Sequence, residues 1–112
     1  MLKYKIYVDE GERTPIPEAI FEDKKYDLAG TFLIAEARTF GEEILDTLEE
    51  VTSGKKKSGA FAGNVFSLEI RRDKTLISDD ISGRELEIAT SDLQKIAAEY
   101  WEVSAGAKRG TK

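Results

Sequence analysis

Residues 31–51 read TFLIAEARTFGEEILDTLEEV, and their periodicity decides the fold. The apolar residues Leu33, Ala37, Phe40, Ile44, Leu48 and Val51 recur at steps of four, three, four, four and three, drawing one continuous stripe along an α-helix. Glu36, Glu42, Glu43, Asp46, Glu49 and Glu50 fall on the remaining faces, so the helix is acidic outside. Gly41 costs about 1 kcal/mol relative to alanine inside a helix. It is either tolerated or marks a close approach to the backbone. Ser53-Gly54 supplies a helix stop, and Lys55, Lys56 and Lys57 follow where positive charge suits a helix C-terminus.

Downstream the period changes from helical to alternating. Residues 64–72 read NVFSLEIRR, with Phe66, Leu68 and Ile70 on one face and Val65, Ser67, Glu69 and Arg71 on the other. Arg72-Asp73-Lys74 turns the chain into Thr75-Leu76-Ile77-Ser78. Asp79-Asp80-Ile81-Ser82-Gly83 turns it again into Arg84–Ala89, which predicts an antiparallel meander of three strands. Ser91 and Gln94 match a capping box, and Leu93, Ile96, Ala97 and Tyr100 form a second core-facing stripe.

Upstream of the long helix, Lys3 to Val8 read KYKIYV, with Tyr4, Ile6 and Val8 on one face, and predict an N-terminal strand. Residues 9–30 carry Gly11, Pro15 and Pro17 and predict a long connection, with a short strand or turn near Ala19-Ile20-Phe21. The expected architecture is α+β: an antiparallel sheet in the order β-α-β-β-β-α, with two helices packed on one face and the other face wet. One domain over residues 1–103 fits the 112-residue length. Residues 104–112 show no burial pattern and predict a disordered tail.

The chain has no histidine and no cysteine, which removes the commonest catalytic groups, disulfides and thiolate metal sites. No serine elbow, phosphate-cradling glycine loop or nucleotide fingerprint is present, and no cofactor is expected. The net charge of -5 is divided as -7 over residues 1–50 and +2 over residues 51–112. That balance disfavours direct nucleic-acid binding, which draws its affinity from basic stripes. No apolar run reaches the length of a membrane span, and the alternating N-terminus does not read as an export signal. A cytoplasmic protein that works by binding is the expectation.

Two acidic groups are candidates for the partner-binding surface. Asp79, Asp80, Glu85 and Glu87 cluster around the predicted hairpin, and Glu42, Asp46 and Glu49 form a second patch on the long helix. The ordinary reading makes the first turn chemistry and the second a solvated helix face. The functional reading makes them an electronegative docking surface for a basic protein. A hairpin holding four carboxylates could also bind a hard cation, although no ligand loop of known spacing is present. Trp101 lies beside the stripe of the last helix and either seals the core edge or anchors a partner.

Several stretches resemble one family. They are Gly30–Glu36, Ser58–Asn64, and Leu68-Glu69-Ile70 continuing through Asp79-Asp80-Ile81 to Leu86–Leu93. Over about residues 26–100 the chain resembles the CdiI-type immunity proteins of bacterial contact-dependent growth inhibition systems. The resemblance implies a cytoplasmic antitoxin that binds the C-terminal toxin domain of a cognate CdiA effector, often a nuclease, and blocks it. It implies no catalytic residues and does not identify the binding face. The alternative is a small regulatory or scaffold module that binds another cellular protein.

Overall fold

The computed structural model describes residues 2–8, 11 and 15–110, with the backbone alone for residues 107–110. Strand β1 (Tyr4–Tyr7) pairs antiparallel with β2 (Glu18–Phe21). A 3-10 turn (Lys24–Tyr26) then leads into helix α1 (Asp27–Phe32), a π-helical turn (Leu33–Ala37) and helix α2 (Arg38–Thr52). Strands β3 (Ser58–Ala62), β4 (Phe66–Arg71), β5 (Lys74–Asp79) and β6 (Glu85–Ala89) form a four-stranded antiparallel sheet in chain order. Helix α3 (Thr90–Gly110) follows β6 directly.

The α+β class agrees with expectation, and the element order is longer than predicted. The N-terminal strand joins β2 in a separate two-stranded sheet instead of entering the main one. Residues 19–21 are indeed strand, with Ala19 and Phe21 buried and Ile20 outside. The additional strand β3 reads SGAFA, and Phe61 is its one buried residue, so it has little alternation to detect. The long helix starts at Asp27 instead of Thr31. Helix α3 extends past Val103 to Gly110, with Ser104 buried, where a disordered tail was expected. Residues 111 and 112 of that tail lie outside the described residues.

The helices pack on one face of the main sheet. Phe61, Phe66, Leu68, Ile70, Ile77 and Ile88 meet Leu28, Phe32, Leu33, Ile44, Leu48, Val51, Leu93 and Ile96 in a single core. Phe32 stands edge-on to Phe61 and Phe66 at 6.5 and 5.8 Å, an arrangement that directs ring edges at ring faces. Helix α1 touches both sheets and is buried at four of its six positions, which explains how so short a helix persists. The segment before β2 is fixed to α3 where the buried Tyr100 hydroxyl donates to the Pro17 carbonyl at 2.7 Å. Burial pushes the Tyr100 phenol up to about 12. The Tyr4 hydroxyl donates to Glu99 at 2.7 Å, and burial followed by this carboxylate also raises its pKa.

Two helix boundaries have local causes. Gly54 takes φ 87° just after α2, as the predicted stop requires, and Lys56 reaches back to Glu50 at 3.1 Å. Helix α3 begins at Thr90, one residue before the expected serine cap. The Thr90 hydroxyl meets Thr75 at 2.8 Å and donates to the Arg71 carbonyl, while its N–H donates to Asp73. Gly41 owes its identity to a close approach: a Cβ there would overlap the half-buried Trp101 ring, so this tryptophan seals the α2–α3 contact.

Candidate functional site

The outward face of the main sheet follows from register. Ala62, Ser67, Ser78 and Glu85 lie in one row, and Ala60, Glu69, Leu76 and Glu87 in the next. Small side chains on β3 and central serines leave this face low, and the carboxylates of Glu69, Glu85 and Glu87 stand out from it. Glu69 was not among the predicted acidic candidates, although its alternation with Leu68 and Ile70 already placed it on the outer face. The basic residues on the same side are Arg71 and Lys74, toward the opposite end. Lys74 pairs with Glu87 at 3.3 Å, both side chains well exposed, so the pair contributes little to stability.

The β5–β6 turn extends this acidic surface and is held internally. The Asp79 carboxylate accepts the N–H groups of Ile81 at 2.9 Å and Ser82 at 3.1 Å, and these bonds lower its pKa. Asp79 N–H donates to Arg84, and Gly83, at φ 79°, donates back to the Asp79 carbonyl at 2.8 Å. Asp80 accepts from the Ser67 hydroxyl at 2.6 Å, and its N–H donates to Val65 at 2.8 Å. Asp79 thus shapes the turn, whereas Asp80, Glu85 and Glu87 present charge to solvent. Ile81 projects from the tip, 81% exposed.

The two predicted acidic patches are not brought together. Glu42, Asp46 and Glu49 are exposed on the side of α2 opposite Ile44 and Leu48, which face the sheet. They therefore look away from the main sheet, while Glu85 and Glu87 look out from its far face. Among the described residues, no three acidic side chains converge as a cation site would need.

Glu36 departs most from expectation. Predicted on an outer helix face, it is fully buried in the π-helical turn. Its Oε1 accepts from Asn64 N–H at 3.0 Å, and its Oε2 accepts from Val65 and Phe66 N–H, both at 2.7 Å. Three converging backbone donors make burial of the carboxylate tolerable. A Cβ at Gly63 would fall on the Glu36 carboxyl group, so glycine is needed there. Because Val65 also accepts from Asp80, this buried grip and the acidic turn form one connected framework.

Comparison with known proteins adds one relative. Over 70 residues the chain is 37% identical to a Bacillus cereus protein named "Immunity protein", a stretch that covers 59% of this chain and 60% of that protein. The chain is similar to an immunity protein. The matching region is less than two thirds of the relative's length. No protein-family model matches the chain, and no solved structure matches it.

Proposed function

We propose that the chain is an immunity protein that binds a cognate toxin in the cytoplasm and neutralises it without chemistry of its own. The observation that carries this reading is the 37% identity to the Bacillus cereus immunity protein. In finer terms, the partner is the C-terminal toxin domain of a CdiA effector, a basic nuclease domain. The resemblance to CdiI-type proteins and the acidic surface support that assignment. A nuclease gathers cations to hold phosphates, and a rigid carboxylate-bearing surface competes for them.

The outer sheet face and the β5–β6 turn suit this role better than α2. Their carboxylates sit on a hydrogen-bonded framework, so little freedom is lost on binding. The Asp80, Glu85 and Glu87 carboxylates supply the charge.

Capture of the partner from the native host, followed by co-expression with the recovered protein, tests the proposal: growth rescue from a toxic partner is expected, and failure of both rescue and binding would overturn it. Within that assay, Glu85→Lys with Glu87→Lys should weaken binding about tenfold or more and flatten its salt dependence. Reversing Glu42, Asp46 and Glu49 should change it little. The opposite ranking would move the interface to α2.

A further inference from the structure

The outward face of the β1–β2 hairpin is unlike the rest of the surface. Tyr7 is 51% exposed, Ile20 49% and Ile16 46%, which places three of the four exposed large apolar residues among those described on or beside one small hairpin. Tyr4, Ile6, Ala19 and Phe21 point inward, so Lys3, Lys5, Tyr7, Glu18, Ile20 and Glu22 share the outer face. Clustered apolar exposure of this kind marks an interaction surface, whereas scattered residues do not.

The charges on this face identify the occupant. The cations Lys3 and Lys5 lie just before and on β1, and the carboxylates Glu18 and Glu22 lie on and just after β2. This balanced set offers nothing to a basic partner that the acidic sheet does not offer more strongly. It is instead complementary to itself. The register pairs Lys5 with Ile20 and Tyr7 with Glu18, and the Glu22 N–H donates to the Lys3 carbonyl at 3.0 Å. A two-fold axis parallel to the strands lays each β1 over the partner's β2 at the same height. Lys3 then meets the partner's Glu22, Tyr7 presents its hydroxyl to the partner's Glu18, and the Lys5 stem covers the partner's Ile20.

We infer that the β1–β2 face is a self-association surface whose ligand is a second copy of this chain, packed isologously about that axis. The face is small, so association is weak and concentration-dependent. It leaves the outer face of the main sheet open and does not depend on the toxin reading.

Sedimentation velocity over a range of concentrations tests the inference. The wild type is expected to show a monomer–dimer equilibrium, and Lys3→Glu and Glu22→Lys should each shift it at least tenfold toward monomer. An equimolar mixture of the two variants should regain dimer, because both inter-copy contacts become attractive in the mixed pair. The double variant should regain it for the same reason. Misfolding cannot produce that rescue. A wild type that stays monomeric throughout, or variants that mix without rescue, would overturn the inference.

Discussion

Two turns at the same end of the main sheet are each held by a carboxylate, and they are held differently. The β3–β4 turn is gripped by Glu36, which comes from a helix about 30 residues away, is itself fully buried, and holds three backbone N–H groups that run from the turn's surface into the core. The β5–β6 turn is gripped by Asp79, which is its own first residue and reaches only two and three residues ahead. A long-range buried grip fixes how helix and sheet dock, so its loss strands donors inside the protein. A local grip near solvent fixes only the shape of its turn, and water can replace it. The first belongs to the fold and the second to the presented surface.

The largest expected effect is at Glu36. Glu36→Ala should lower unfolding free energy by about 3–5 kcal/mol, since three backbone donors lose their acceptor. Glu36→Gln should cost about 2 kcal/mol, because its amide sets a donor against donors. Urea denaturation reads both, and a loss below about 1 kcal/mol for alanine would erase the contrast. Gly63→Ala comes next at about 1–3 kcal/mol, as its methyl group displaces the Glu36 carboxylate.

Asp79→Asn should have a smaller effect, visible through pH. The folded-state pKa of Asp79 lies below its usual 3.8, so the carboxylate's stabilisation is complete above that value and disappears as pH falls through the folded pKa. The difference between wild type and variant should therefore shrink on acidification. A difference that grew instead would contradict the hydrogen-bonded role. Least of all, Glu85→Lys and Glu87→Lys should each shift stability by no more than about 0.5 kcal/mol, which separates surface charge from the fold on which it stands.

The same contrast explains what could be read in advance. Ile44, Leu48 and Val51, and the alternation of Phe66, Leu68 and Ile70, announced their elements because each pattern is written in neighbouring residues. The exposed candidates Asp80, Glu85, Glu87, Glu42, Asp46 and Glu49 were legible for the same reason, and Asp79 was legible as turn chemistry. Their separation onto opposite surfaces was not, since it depends on how α2 lies over the sheet. Glu36 looked like another outward acid because its partners are backbone groups 28 to 30 residues later, invisible to any local period. Strand β3 escaped because Gly59, Ala60 and Ala62 carry no contrast between its faces.

The π-helical turn at Leu33–Ala37 makes the helix change phase midway. Each residue of an α-helix turns the chain by about 100°, so one extra residue rotates everything after it by roughly that angle. Upstream, α1 lies nearest β2, β5 and β6, with Phe32 also reaching Phe61 and Phe66; downstream, α2 lies against β3, β4 and α3. The helix thus behaves as two differently indexed gears on one shaft. Deleting one residue from the π turn would convert it to ordinary α-helix and leave both halves in mesh, whereas the same deletion in the α-helix on either side would put one half out of mesh.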